Sequence, residues 1–321
     1  MNRFKRILYV SEPRSAQNAC IARAVSLAQN NQAQLRIIEV HREVTAGIGM
    51  PPGGPISADL TATLIANRRQ VLEDSVAPYR EHIDLDIEVM IGRRFIEVIR
   101  AVLREGHDLV MKPAEDPSWF DRLFGSDDMH LLRECPCPLW LLKPDEKPNY
   151  SCILAAVDLD PYETDSEDER LSRQILELAA SLALSDFAEL HLVHVWDAPA
   201  AEFAAMWADN PEAFRDRFIE GDYTRHKAGI DHLKLELRKH VGDEAYSYLS
   251  PRVHMPKGRT EKEIPALANE LKADLVVMGT VGRTGVPGLF IGNTAEAVLY
   301  QLQSAVLAIK PVGFVSPVTI D

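Results

Sequence analysis

Residues Leu275 to Pro311 read LVVMGTVGRTGVPGLFIGNTAEAVLYQLQSAVLAIKP, and this stretch decides how the rest of the chain is read. Three of its five glycines set the spacing: Gly279, Gly282 after two intervening residues, and Gly292 after nine more. The apolar run Leu275 to Met278 is short enough to be a buried strand. Thr294, Ala295, Glu296, Ala297, Val298 and Leu299 read as the start of a helix. A strand that ends in glycines and leads to a helix N-terminus is one way to hold phosphate. Glycine lets backbone N–H groups approach an anion with no Cβ in the way, and the unpaired N–H groups of the first helical turn point at it. The plainer alternative is a strand-to-helix loop that needs glycine for its turns.

Working outward, the chain shows a repeat. Its 321 residues suggest two domains. Arg6 to Val10, Gln34 to Val40, Leu85 to Val89, Asp108 to Met111 and Pro138 to Leu142 read as strands. They alternate with helices expected at Ala16 to Asn30, about Ala58 to His82, Phe95 to Gly106 and Asp128 to Glu134. The order restarts with strands at Cys152 to Val157 and Glu189 to Val195, and helices at Leu171 to Leu184, about Phe218 to Lys239 and Thr260 to Leu271. A strand is expected near Tyr246 to Val253. Trp196 to Arg217 is an insertion of undetermined form, its aromatics either core or a lid. Strands alternating with helices argue for parallel sheets covered on both faces. Lys143 to Tyr150, with two prolines and no apolar pattern, is the expected linker. Domains are accordingly expected at 1–144 and 151–312. A gapless alignment of Leu109 onward with Val276 onward sets Met111 opposite Met278, Gly125 opposite Gly292, and Lys143-Pro144 opposite Lys310-Pro311. Near the start of each half, Ile7 matches Ile153, which sets Glu12 opposite Asp158.

The spacing Gly279-x2-Gly282-x9-Gly292, with a strand before it and VLAIKP after it, resembles the nucleotide loop of the universal stress protein family. The resemblance implies two tandem Rossmann-like domains of the adenine nucleotide alpha hydrolase type, each a five-stranded parallel sheet with helices on both faces. It implies ATP as ligand, with or without Mg²⁺. Gly279, Gly282, Gly292 and Asn293 would line the phosphates, with Thr294 next to them and Arg283 as a charge partner. In ATP-binding members the last glycine is followed by Ser or Thr. Here Asn293 holds that position and Thr294 comes one later. By the same resemblance Asp158, at the end of a first strand, lies near ribose or metal, and Val195 packs on adenine. The alternative for Asp158 is a helix-capping or loop aspartate. In the first half, Lys112 and Glu115 stand at the first two glycine positions, and Asp127 and Asp128 occupy the helix start, where they satisfy the helix dipole themselves. That half is expected to have lost the nucleotide site. Family members dimerise through their last strands, so Pro138 to Leu142 and Ala305 to Ile309 are expected to pair within one chain as a pseudo-dimer; a homodimer of whole chains is also open.

Composition narrows the function. Hydrophobic residues make up 46% and charged ones 26%, ordinary for a globular protein, and the net charge of -13 argues against nucleic-acid partners. Residues 1–148 carry 19 basic and 21 acidic side chains, so nearly all the excess negative charge lies in the second half. The apolar run Ile7 to Val10 is too short for a signal segment, and no stretch is long enough to span a membrane, so a cytoplasmic setting is expected. Cys20, Cys135, Cys137 and Cys152 show no zinc-ligand spacing, and Cys135-Pro136-Cys137 reads as two buried or half-buried thiols rather than a redox or metal pair. His191 and His194 fall on opposite faces of their strand and cannot share a metal. His226 and His232 point in different directions on their helix. All four read as surface or capping histidines. The acidic run Glu163 to Glu169 reads as a solvated helix start. No catalytic triad, HExxH or P-loop Lys-Ser/Thr is present. The reading favoured is a stress-response protein that binds ATP in its second domain and signals rather than turning over substrate. The alternatives are a slow Mg-dependent ATPase using Asp158, or a carrier holding an apolar, lipid-like ligand in the first domain.

Overall fold

A computed structural model describes residues 3–13, 17–44, 54–81, 83–114, 127–163, 166–280 and 291–320. Two compact units divide the described residues: those of 3–149 with 291 and 305–320, and those of 150–280 with 292–304.

In the first unit the order is β1 (Arg6–Val10), α1 (Asn18–Asn31), β2 (Gln34–His41), α2 (Pro55–Val76), β3 (Leu85–Ile91), α3 (Arg94–Glu105), β4 (Leu109–Pro113), α4 (Asp127–Glu134) and β5 (Leu139–Leu142). The strands β3-β2-β1-β4-β5 run parallel, with Ile7 of β1 facing Leu35 on one side and Leu109 on the other. Strands covered on both faces need continuous apolar runs. Ile7 to Val10 and Leu139 to Leu142 are accordingly buried throughout. α1 buries Ile21, Ala24, Val25 and Ala28, a stripe at helical spacing.

The second unit repeats the scheme with β6 (Cys152–Ala156), α5 (Glu167–Asp186), β7 (Glu189–Val193), α6 (Ala200–Ala205), α7 (Pro211–Val241), α8 (Asp243–Leu249), β8 (Arg252–His254), α9 (Thr260–Leu271), β9 (Leu275–Gly279) and α10 (Asn293–Leu299). Its parallel strands lie in the order β9-β6-β7-β8, and α5 packs across β6, β7 and β9. Ser166 caps α5 by accepting the Glu169 N–H, and Glu167, Asp168 and Glu169 fill the first turn. The acidic run is therefore a helix start, placed where negative charge offsets the helix dipole. The last strand, β10 (Ala305–Ile309), belongs to the first unit and pairs antiparallel with β5, Trp140 opposite Leu307.

Three expectations need correction. The strand expected near Tyr246 to Val253 is mostly helix: α8 begins with Asp243 and Glu244 in its first turn, and Ser250 at φ 37 ends it, so only Arg252–His254 is extended. The insertion after Trp196 is helical, and α7 starts earlier than expected because Asn210 caps it by accepting the Ala213 N–H at 3.2 Å. The gapless alignment also slips by one residue at the strand before the glycine loop. Ile7 faces Leu109 while Ile153 faces Leu275. Asp108 caps the N–H groups of Lys5 and Arg6, as Asp274 caps those of Ser151 and Cys152. Lys112 therefore corresponds to Met278, and Gly279 to Pro113. The spacing realigns by the last strand, where Trp140 faces Leu307.

Candidate functional site

In the second unit β6 lies between β7 and β9, because Ala156 pairs with Val193 on one side and Met278 on the other. The C-terminal ends of these three strands are therefore neighbours, the place where parallel α/β sheets bind ligands. Asp158, Val195 and Gly279 all sit at these ends. The Asp158 backbone is pinned by buried Ser172 of α5, whose hydroxyl accepts from the Asp158 N–H at 3.0 Å and donates to its carbonyl at 2.6 Å. The rest of Asp158 is exposed, and α5 takes its cap from Ser166 instead. Val195 is half-buried beside Trp196, whose indole N–H donates to the Met255 carbonyl at 3.0 Å.

Gly279 has a packing reason to be glycine. A Cβ there would stand 2.8 Å from Leu171 Cδ2 of α5. Next to it, Thr280 is fully buried, and its hydroxyl has no hydrogen-bond partner among the described residues. A buried hydroxyl is costly to leave unpaired. The Thr280 carbonyl accepts the Gly292 N–H at 3.0 Å, which brings the two ends of the glycine loop together. Gly292 is extended (φ -60, ψ 137) and opens α10, with Asn293 and Thr294 exposed in its first turn. Gly282 and Arg283 lie outside the described residues.

α7 reaches this end of the sheet through side chains that the sequence reading had set aside. His194, just past β7, is buried, and its Nε2 lies 2.8 Å from His226 Nδ1. His194 Nδ1 is 3.3 Å from the Val157 carbonyl, which can only accept, so Nδ1 carries the proton and Nε2 accepts from His226. Burial holds the His226 imidazole below its ordinary pKa, against the opposing pull of Asp222, Asp160 and Asp158. Beside it, burial would raise the Asp222 carboxyl, but hydrogen bonds from the Tyr162 hydroxyl at 2.7 Å and Arg225 at 2.6 Å outweigh it and lower its pKa. The loop after β6 is thus tied to α7. His191 is buried too, with Nδ1 2.9 Å from His254 Nε2. The expectation of surface or capping histidines fails for His191, His194 and His226, whose partners come from distant elements. That His191 and His194 face apart holds, since each has its own partner. Among the described residues no three His, Cys, Asp or Glu side chains converge as metal ligands.

The corresponding place in the first unit is occupied by the chain's own charges. Lys112, fully buried, sets its ammonium 2.6 Å from Asp128 and 3.7 Å from Glu12. Arg94 reaches the same Glu12 at 2.8 Å and Asp127 at 3.7 Å. Glu12 corresponds to Asp158, while Lys112 and Asp128 correspond to the uncharged Met278 and Ala295. Glu115 lies outside the described residues.

Comparison with known proteins agrees with this architecture. The model of the universal stress protein family matches residues 3–143 and again 150–310. Universal stress protein E of Escherichia coli K12 is 30% identical, the alignment covering 100% of this chain and 98% of that protein. The universal stress protein E homolog of Haemophilus influenzae is 28% identical over 96% of this chain and 98% of its own length. Among solved structures, a functionally unknown protein from Pseudomonas aeruginosa PAO1 superimposes with a TM-score of 0.66 at 26% identity, covering 97% of this chain and 94% of that one. A universal stress protein from Archaeoglobus fulgidus shares the fold alone, with a TM-score of 0.63 at 16% identity over 96% of this chain and 99% of its own. No helix among the described residues is long and apolar enough to cross a membrane. With both halves matched in sequence and in strand order, this chain belongs to the universal stress protein family, as a tandem member carrying two copies of the family's domain.

Proposed function

We propose that this protein binds ATP at the C-terminal ends of β6, β7 and β9 in its second unit, does not bind it in its first, and serves as a nucleotide-dependent stress-response protein rather than an enzyme of rapid turnover. The observation that carries this reading is the contrast between the two copies. In the first, Lys112, Glu12, Asp128 and Arg94 neutralise one another where a nucleotide would sit. In the second, Met278 and Ala295 stand in place of Lys112 and Asp128, the Thr280 hydroxyl is buried with no hydrogen-bond partner among the described residues, and Asp158 remains exposed. Gly282 and Gly292 would let backbone N–H groups approach the phosphates, Asn293 and Thr294 would add side-chain donors, and Arg283 would add charge. Val195 would pack against the base, and the Asp158 carboxylate suits a ribose hydroxyl or a hydrated Mg²⁺, which prefers one or two carboxylates.

The test is ATP binding to the full chain by calorimetry, for the native protein and for Gly282→Glu, with circular dichroism as the folding control. The substitution adds a negative charge beside the phosphates. At ~4 Å and an effective dielectric of about 20 the repulsion is roughly 4 kcal/mol, so affinity should fall at least about a hundredfold. Equal binding by the folded variant would remove the phosphates from this loop. No binding by the native chain would overturn the proposal, and steady ADP release would replace it with a Mg-dependent ATPase.

A further inference from the structure

A second chemical feature lies in the first unit, away from the strand ends just described. Cys135 follows α4 and Cys137 leads into β5. Both thiols are buried, and their sulfurs are 3.7 Å apart. Lys310 closes β10, which runs antiparallel to β5, so its side chain is delivered to the start of β5. Its ammonium is buried and has no hydrogen-bond partner among the described residues; it faces the Phe314 ring, 4.8 Å from the centroid. A buried, unpartnered ammonium is costly to a fold. The Cys135 thiol is a group whose ionised form would offset that charge.

We propose that Cys135 and Cys137 form a redox-active pair that a peroxide converts to a reversible disulfide, with the Lys310 ammonium stabilising the Cys135 thiolate that reacts first. The thiolate sulfur attacks one peroxide oxygen, the O–O bond breaks, and the departing hydroxide takes up a proton to leave as water. Cys135 is then a sulfenic acid. The Cys137 sulfur attacks the Cys135 sulfur, the S–O bond breaks, and the leaving hydroxide takes the Cys137 proton as a second water. Two thiols and one peroxide thus become one disulfide and two waters. A thiol-disulfide exchange with an excess dithiol reverses the change.

The electrostatics agree with this order of events. A hydrogen bond from Cys137 and the charge of Lys310 lower the Cys135 pKa against the effect of burial, while the same pairing and burial raise that of Cys137. Burial lowers Lys310 to about 8, against the pull of Cys135. The sulfurs must close from 3.7 Å to about 2.05 Å for the bond to form. The other two thiols, Cys20 and Cys152, are also buried, and Cys20 donates to the Lys143 carbonyl at 3.1 Å.

The experiment treats the full chain with hydrogen peroxide and then maps cysteines by peptide mass spectrometry after alkylation in denaturant. The expected product is a Cys135–Cys137 link, lighter by two hydrogens and released by dithiothreitol. Lys310→Met should slow its formation about threefold or more, because losing the ammonium raises the thiol pKa and each unit costs roughly that factor, while Lys310→Arg should keep most of the rate. Both thiols remaining free, a sulfinic acid on either one, or a link to Cys20 or Cys152 would overturn the proposal. A Lys310→Met protein that is folded and reacts at the native rate would overturn the role given to the lysine. If Lys310→Met does not fold, the native rate is measured against pH instead, and failure to rise toward the Cys135 pKa would overturn the thiolate step.

Discussion

His194 Nε2 and His226 Nδ1 lie 2.8 Å apart, joining the end of β7 to the long helix α7, and the first unit makes the same connection with different chemistry. Strand registers align Ile7 with Ile153 and Leu35 with Leu190, which places Glu39 opposite His194. Glu39, with its side chain fully buried, accepts from Arg68 of α2 at 2.6 and 3.0 Å and from Ser11 at 2.5 Å. One copy therefore fastens its helix with a carboxylate and a guanidinium, the other with two imidazoles.

The two fasteners should respond differently to mild acid. Burial would raise the Glu39 carboxyl, but hydrogen bonds from Arg68, Ser11 and His41 outweigh it and lower its pKa. Its contribution is present above the ordinary carboxylate pKa and is lost only as pH falls through that lowered value. The His226 pKa is also lowered, by burial, so the unfolded chain binds the proton first. Stability from His226 is complete above about pH 6.5 and is lost as pH falls from there toward the depressed value. Hydrogen exchange, corrected for intrinsic rates, should show peptides of α7 loosening between about pH 7.5 and 5.5 while those of α2 do not. His226→Gln should abolish the pH dependence in α7. Equal responses of the two helices would contradict this account.

Lys112 gives the second prediction. Lys112→Met leaves Glu12 and Asp128 buried without the cation between them. Removing one partner from a buried ion pair costs about 3–5 kcal/mol. The first unit should melt earlier by calorimetry, and Lys112→Met with Asp128→Ala should recover much of the loss, since that pair copies the Met278 and Ala295 of the second copy. No recovery in the double variant would mean that Asp128 is stabilised by other groups.

What the sequence disclosed follows from how local each signal is. Continuous apolar runs and period-3.6 patterns revealed nearly every strand and helix, because continuous burial of Ile7 to Val10 or Leu139 to Leu142 leaves its mark on consecutive residues. The glycine spacing identified the loop. Tyr246 to Leu249 misled, because a seven-residue helix shows too few turns for a period to appear. The histidine pairs were invisible for another reason: His194 meets His226 across 32 positions, and His191 meets His254 across 63, so no window contains both partners. The one-residue slip at Lys112 and Gly279 was hidden because the apolar residues on either side, Met111 and Met278, suit a buried strand in both registers.

Gly279 and Gly282 look alike in sequence, and the last prediction separates them. At Gly279 the missing Cβ faces Leu171 at 2.8 Å and Ile175 at 3.7 Å, both on α5, so the residue is small because the helix packs against it. Gly279→Ala should therefore act on stability, by about 1–3 kcal/mol, the usual cost of inserting a methyl group into a packed site. Leu171→Ala removes the side chain it meets and by itself leaves a cavity. The two substitutions together should cost less than the sum of the single ones, with a coupling of roughly 0.5–3 kcal/mol in urea unfolding. ATP affinity of the folded Gly279→Ala protein should stay near native, whereas Gly282→Glu loses it. A strong loss of ATP binding in Gly279→Ala, with native stability and no coupling to Leu171, would place the phosphates against β9 itself and reverse the roles assigned to the two glycines.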